Sequence, residues 1–496
     1  MKNALSTTRA ADFSDWYLEV IKEADLAEHS GVRGCMIIKP WGVAIWELIQ
    51  ARLDRQIKAM GHENCYFPLL IPIELLAKEA EHVEGFAKEV AVVTHHRLAV
   101  KDGKLVPDGE LESPLVIRPT SETIIGESMA RWIRSHRDLP LKLNQWANVM
   151  RWEMRPRLFL RTSEFLWQEG HTAHATREEA LDETAAMLDV YRTLVEDDMA
   201  MPVIRGRKTP HERFPGADET YTIETMMQDG RALQAGTSHF LGQNFAKAAG
   251  IRFQDRDDTL KHVYTTSWAV TTRLIGALIM THGDDDGLRL PVRMAPAHVV
   301  IVPIFRDESA KGAVVEFAAR LKKQIEAGQC YGEPIRVNLD LRDDSPANKR
   351  WRHIKKGVPL VVEIGPRDVA ANAVTFTRRD AIAQKHQGVA VDQFVASVPR
   401  ELEALDEVLR SEALAYRRAM TITNIQTLEE LRDHFVKNDG TGFVMGKWSD
   451  NPEVEARLSE MGVTVRCLPL EQSSTEGRCL VTGAPARTDA VFAKGY

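Results

Sequence analysis

Two short stretches carry residue types that belong to chemistry rather than to packing. One is Arg118-Pro119-Thr120-Ser121-Glu122. The other runs through Arg151-Trp152-Glu153, a basic loop, Arg161-Thr162, and Phe165-Leu166-Trp167-Gln168-Glu169-Gly170-His171. At the period-two spacing of a strand, Arg151 and Glu153 share one face, and Phe165, Trp167, Glu169 and His171 share one face of the next strand. Cations, acids, aromatics and a histidine aimed into one space do not make a core, because an unpaired buried charge costs roughly several kcal/mol. They suit a flat, charged, phosphorylated ligand. Arg151 and Arg161 offer forked cations for phosphate, Phe165 a flat partner for a base, and Glu153 an acceptor for an exocyclic amino group. The same pattern also describes a solvated hairpin with a basic tip.

Three more constellations follow. Gln234-Ala235-Gly236-Thr237-Ser238-His239, before Gly242-Gln243-Asn244-Phe245, alternates polar side chains on a strand. Gln234 and Thr237 suit phosphate oxygens or Mg²⁺, and His239 a small pocket, although a lone histidine is as readily structural. Thr265-Thr266-Ser267-Trp268 leads into a helix with Arg273 near its first turn, where the helix terminus favours anions. A surface arginine on an apolar helix would read the same way. Around Lys349, Trp351 and Lys355, cations outnumber acids within a chain of net charge −7. Tryptophan among cations suits single-stranded RNA, and equally a solvated helix face.

The elements that must position these groups are legible from periodicity. Helical spacing covers Ser14 to Glu28 and Trp41 to Met60, and Cys65 to Pro72 reads as a strand. Glu122 to His136 is a helix, and Leu141 to Glu153 and Thr162 to His171 are paired strands. A capping box at Thr176 and Glu179 opens a helix to about Met199, and Val270 to Thr281 is another. From His298 on, apolar runs (His298 to Pro303, Ile335 to Leu339, Leu360 to Ile364) alternate with helices such as Lys311 to Ala327, the pattern of a small α/β domain. A long helix, about Gln393 to Ala419, leads to a last region in which Thr427 and Glu430 cap one more helix. The 496 residues suit about three domains. Five scattered cysteines, Cys35, Cys65, Cys330, Cys467 and Cys479, include no C-x-x-C pair, which fits free thiols in a reducing compartment. The first residues hold no long apolar run, so neither a signal peptide nor a membrane anchor is expected.

Together these residues resemble the class II aminoacyl-tRNA synthetases, and among them the prolyl-tRNA synthetases of the form found in archaea, eukaryotes and some bacteria. Gly61 to Pro68 is similar to motif 1, which forms the dimer interface, Arg151 to His171 to motif 2, and Ser267 to Arg273 to motif 3. The runs RPTSE, FLWQEGH and GTSHFLGQNF and the end at Lys494-Gly495-Tyr496 carry the prolyl likeness. The resemblance implies α/β and α+β domains: an antiparallel-sheet catalytic domain at 1–292, an α/β anticodon-binding domain at 297–400, and an α+β C-terminal domain at 401–496. It implies that Thr120 and Glu122 bind proline, with Trp167, Glu169, His239 and Ser267 around the same pocket. Arg151 would touch the α-phosphate and the proline carboxylate, and Arg273 the γ-phosphate. Glu153, Arg161, Thr162, Phe165, Gln234 and Thr237 would bind ATP, with Gln234 near Mg²⁺. Lys349, Trp351 and Lys355 are the candidates for tRNA(Pro). A cytoplasmic homodimer acting on L-proline, ATP and tRNA(Pro) is expected.

The likeness has gaps. Many relatives hold zinc with four cysteines in the C-terminal domain. Here Ser449, Val454 and Thr482 stand where three of those cysteines would be, beside Cys479, so no zinc is expected. Ala269 replaces a common glycine. The segment 172–233 leaves no room for the large editing domain of the bacterial-type enzyme. A threonyl-type enzyme would need a cysteine for its catalytic zinc in the active-site strands, which have none. An inactive synthetase-like protein would be expected to lack motif arginines, which are all present.

Overall fold

The computed structural model describes residues 5–80, 89–305 and 307–496. Its centre is an eleven-stranded sheet. The inner strands Val203–Arg207, Glu219–Met226, Ala232–Gly242, Tyr264–Thr271, Glu164–His174 and Leu141–Met150 lie side by side in that order, all antiparallel. Helix Arg177–Arg192 packs on one face, burying Met187, Leu188 and Tyr191. It is capped as expected by Thr176 and Glu179. The helix does not continue regularly to Met199, because a wide turn of π-helix takes over at Thr193–Asp198. Strand Glu164–His174 is buried along most of its length, since its second face forms the floor of a cavity. That is why its polar and aromatic side chains alternate with core side chains.

Glycine at position 170 is required by this packing. Gly170 faces Trp268 on the adjoining strand, and a β-carbon there would lie inside the indole ring. Trp268 is 1 % exposed and sits edge-on to His62 and Tyr191.

Several boundaries differ from the sequence expectation. The strand before the basic loop ends at Met150, so Arg151 and Glu153 lie just beyond it, and Arg151 N–H donates to Ser163 O at 2.7 Å. Cys65 to Pro72 is not one strand: only Glu63–Asn64 and Leu70–Pro72 pair with neighbours. The strand through Ser267 runs to Thr271, and the helix begins at Arg273. The prolines and polar residues at these points interrupt pairing that apolar spacing alone would extend.

The α/β region holds a five-stranded sheet. Val299–Pro303 lies parallel to Val337–Leu339 and Leu360–Ile364, and Ala373–Arg378 and Lys385–Ala390 add an antiparallel edge. Helix Val391–Ala419 leaves this sheet and crosses the expected boundary at 400/401 without a break, despite Pro399 inside it. On its way it is tied to the region around the central sheet: Arg410 donates to Glu196 O, Tyr416 to Gln228 O and Arg417 to Val203 O. The C-terminal strands then extend the central sheet, as Thr464–Pro469 pairs with Val203–Arg207. Close approach is possible there because Gly206 faces Cys467, whose side chain would meet any β-carbon. The chain ends on the same sheet, with Tyr496 N–H donating to Ala232 O at 3.0 Å. Among the described residues no helix is long and apolar enough to cross a membrane.

Two glycines test this packing with opposite signs. Gly170→Ala forces a methyl into Trp268 and is expected to destabilise by about 1–3 kcal/mol. Gly312→Ala lies on the exposed face of helix Glu308–Glu326 with nothing near its β-position, and is expected to stabilise by about 0.5–1 kcal/mol. Denaturant melts of both variants measure the difference.

Candidate active site

The cavity on the open face of the central sheet has a volume of about 590 Å³. Thr120, Glu122, Arg151, Glu153, Arg161, Thr162, Phe165, Trp167, Glu169, Gln234, Thr237, His239, Ser267 and Arg273 all line it. Its floor is a grid of cross-strand rungs. One rung reads Thr220, His239, Ser267, His171; the next reads Thr222, Thr237, Ala269, Glu169, Gln145; a third begins with Glu224 and Gln234. Gln234 is out of phase with Thr237 and His239 at simple alternation. A β-bulge opposite Ile223 and Glu224 inserts one residue and puts all three on the same face.

One end of the cavity is acidic and rigid. Arg118 is buried and anchors the loop before it, donating to Phe67 O at 2.7 Å and Asn148 O at 2.8 Å. It is therefore a support and not a ligand for substrate. Thr120 donates to the Glu122 carboxylate at the start of helix Glu122–Trp132. Glu169 has both oxygens engaged: Oε1 accepts from Ser121 at 2.5 Å and Gln145 at 2.8 Å, and Oε2 meets His171 Nε2 at 2.9 Å. Burial raises the Glu169 pKa, but His171 and these hydrogen bonds outweigh it and hold the group below the ordinary carboxylate range. Glu169 thus braces the pocket through its neighbours.

The other end is strongly cationic. Arg151 donates to Pro119 O at 2.8 Å, and its guanidinium lies 5.7 Å from the Phe165 ring centre and 5.6 Å from that of Trp167. It reaches solvent through the cavity mouth while protein surrounds the rest of it. The lost hydration lowers its pKa, and Glu122 and Glu169 oppose the change. Arg273 donates to Leu160 O at 3.2 Å. Burial, then repulsion from Arg161 and Arg151, pushes its pKa down to about 10, so it remains charged near neutrality. Gathering like charges in this way is unfavourable until a polyanion joins them. Glu153 accepts from Arg155 N–H at 2.9 Å, which fixes the acid beside the basic loop.

Between the two ends lies a small pocket that sequence reasoning described only in part. His239 Nδ1 is 3.0 Å from Thr220 Oγ1, and Phe214 stacks on the ring at 4.7 Å. Burial and the nearby His171 lower the His239 pKa to about 3, so the imidazole is neutral. Ser267 Oγ and Trp167 Nε1 are buried with no hydrogen-bond partner among the described residues, which leaves both available to a ligand. Phe214, Thr220, Lys208 and Arg213 also line the cavity and were not anticipated. The available signal was the mixed run of charge, aromatic and turn residues from Lys208 to Ala217.

The basic window is partly engaged in packing, with Lys349 buried and Trp351 and Lys355 half-buried. Lys349 is 5 % exposed and its ammonium lies 3.4 Å from Asp340 O. Trp351 packs with Trp41 and Ile382 against a buried cluster, and Lys355 forms an ion pair with Glu23 at 2.5 Å. Charge counted along a helix does not reveal which turn faces a neighbour, and here helix Pro346–Lys355 packs against the first helix of the chain.

Comparison with known proteins agrees with this architecture. The family model for the class II tRNA synthetase core domain (G, H, P, S and T) matches residues 106–282, that for the anticodon binding domain 298–401, and that for the prolyl-tRNA synthetase C-terminal region 428–496. The proline--tRNA ligase of Protochlamydia amoebophila is 55% identical, over 100% of this chain and 99% of its own. Proline--tRNA ligase 2 of Anaeromyxobacter dehalogenans is 56% identical, again over 100% and 99%. The proline--tRNA ligase of Paramagnetospirillum magneticum is 54% identical with the same coverage. With a cavity that joins an acidic end to a cluster of arginines, and with relatives that match over its whole length, the chain belongs to the proline--tRNA ligase family of class II synthetases.

Proposed function

We propose that the chain ligates L-proline to tRNA(Pro) through a prolyl-adenylate formed in this cavity. The observation that carries the reading is the meeting of Arg151, Arg161 and Arg273 with Glu122 and the unpartnered Ser267 and Trp167 in one space. Proline presents a secondary ammonium and a carboxylate. Glu122 and Thr120 receive the ammonium, while Arg151 receives the carboxylate and the α-phosphate. His239, Phe214 and Trp167 enclose the ring. Glu153 and Phe165 take the adenine, Arg161 and Thr162 clamp the nucleotide, and Arg273 meets the γ-phosphate. The carboxylate attacks the α-phosphorus and pyrophosphate leaves. This nucleophile is already an anion, so no general base is required. Rate comes from positioning and from fixed cations facing the charge that develops. A terminal hydroxyl of tRNA then attacks the adenylate carbonyl. The neutral amide of Gln234 and the hydroxyl of Thr237 would hold a Mg²⁺ ion accompanying ATP, which would offset charge on the phosphates.

We infer further that this is the form without an inserted editing domain. The support is that His171 to Gln234 is taken up by helix Arg177–Arg192, its π turn, strands of the central sheet and one loop. The domain at 298–401 would bind the anticodon through a surface that does not include the buried Lys349. The C-terminal region would hold no zinc. Supporting that, Ser449 and Thr482 hydroxyls lie 3.3 Å apart, and Val454 is fully buried in the local apolar cluster. A homodimer fits the exposed Ile37 and Tyr66 beside helix Pro40–Ala59, and five unpaired cysteines fit a cytoplasmic location.

Arg151→Ala and Arg273→Ala are each expected to lower proline-dependent ATP–pyrophosphate exchange by roughly 10²–10³, the cost of one oriented charge contact in a transition state. Their melting curves should stay near that of the parent. Exchange at parental rate in either variant would remove that arginine from the mechanism.

Glu122→Gln is expected to raise KM for proline far more than KM for ATP. Equal changes in the two constants would assign Glu122 a structural role.

Elemental analysis of the purified protein should find no stoichiometric zinc, and a chelator should leave the melting temperature unchanged. One zinc per chain would show that other residues serve as ligands.

A further inference from the structure

Glu224 stands on the cavity face of the sheet, directly across from Gln234, and is fully buried. Two cations from distant parts of the chain close on it. Lys208 Nζ lies 2.8 Å from its Oε1, and Thr222 Oγ1 donates to the same oxygen at 2.9 Å. Arg466, from the C-terminal strand Thr464–Pro469, donates to Oε2 through Nε at 3.1 Å and Nη2 at 2.9 Å. Arg466 also offers its backbone carbonyl to Lys208 at 2.6 Å. Burial raises the Glu224 pKa, but the charges of Arg466 and Lys208 outweigh it, so the carboxylate is ionised.

The cluster thus holds two cations and one anion, a net positive charge. A buried ion cluster contributes little net stability, because desolvation offsets attraction. Its position suggests a use. Lys208 lines the cavity although it is only 5 % exposed. Its ammonium has three N–H donors, of which two are committed to Glu224 and Arg466 O. The group lies beside the two neighbouring rungs that carry Thr237 and Gln234, on the side of the cavity where Arg273 feels the charges of Arg466 and Glu224.

We propose that Lys208 is a further contact for the triphosphate of ATP, and that Arg466 is a positioning residue that aims it through Glu224. The proposal rests on reading the cavity as an adenylation site. The C-terminal region then does more than pack against the catalytic sheet: it supplies the backbone carbonyl and the guanidinium that fix a lysine on the phosphate path. Without Arg466, Glu224 would draw the ammonium fully into an ion pair and cancel its charge toward ATP.

The test uses the full-length protein and direct titration with MgATP, adenosine and L-proline. Lys208→Met should weaken MgATP roughly 10- to 100-fold, the worth of one charge-assisted hydrogen bond. Adenosine, which has no phosphate, should bind as to the parent, and so should proline. If Lys208→Met fails to fold, Lys208→Gln removes the charge while keeping an amide donor for Glu224, which retains Arg466 as its partner, and should show the same loss of MgATP. For Arg466, the single change Arg466→Gln removes the guanidinium and leaves Glu224 to Lys208 and Thr222, so no ion is orphaned. It should raise KM for ATP while leaving KM for proline unchanged, and Arg466→Lys should restore much of the loss. Parental MgATP affinity in Lys208→Met, or an equal loss for adenosine, would overturn the phosphate contact. An unchanged KM for ATP in folded Arg466→Gln, or equal rises for ATP and proline, would overturn the positioning role. Proline-dependent exchange by the parent tests the reading of the cavity separately from these titrations.

Discussion

The mutual repulsion of guanidinium groups held in one cavity is the constraint on which the rest of this structure depends. Arg151, Arg161 and Arg273 would separate if their backbones allowed it. Each is prevented by a different element. Arg151 follows the end of one strand and is pinned to Pro119 O, and Arg161 closes the basic loop through backbone bonds with Arg157. Arg273 begins a fully buried helix and is pinned to Leu160 O. The wide antiparallel sheet makes this possible because it fixes all three elements at once. A site of this kind is already arranged for a polyphosphate when the ligand arrives, so little reorganisation remains for the reaction itself.

The opposite end of the cavity shows how an acid is kept rigid by several short side-chain contacts. Glu169 is satisfied by Ser121, Gln145 and His171 at the meeting of three elements. This network ties the helix that begins at Glu122 to the two motif strands. His239 is fixed in a similar way: Thr220 holds its ring, and burial keeps it neutral, so it adds no further positive charge to the cavity. The arginines Arg151, Arg161 and Arg273 and the carboxylates of Glu122 and Glu169 thus line one continuous space.

The domains are joined by shared elements rather than by loose linkers. Helix Val391–Ala419 belongs to the α/β region at its start and to the catalytic region along its later turns. Thr464–Pro469 makes the C-terminal sheet continuous with the catalytic one, and the basic helix Pro346–Lys355 seats against the first helix through Lys355 and Glu23. Residues that composition marked as an RNA surface are partly spent on this joint.

Local rules determined a good deal of this protein. Period-two spacing alone set Phe165, Trp167, Glu169 and His171 on one face, and they line the cavity together. The capping box at Thr176 and the parallel apolar runs from Val299 to Ile364 were equally legible, because cap and strand signals act within a few residues. Likeness of motifs supplied the identity of the substrates, which spacing could not. Tertiary structure decided the rest. The bulge at Ala235 that brings Gln234 into phase depends on the strand beside it, and the burial of Lys349 depends on packing by a distant helix. Lys208, Glu224 and Arg466 come from three separate places in the chain, and each by itself reads as an ordinary surface charge. Only the assembled sheet brings them within hydrogen-bond reach, because side-chain direction across paired strands is fixed by register and not by composition.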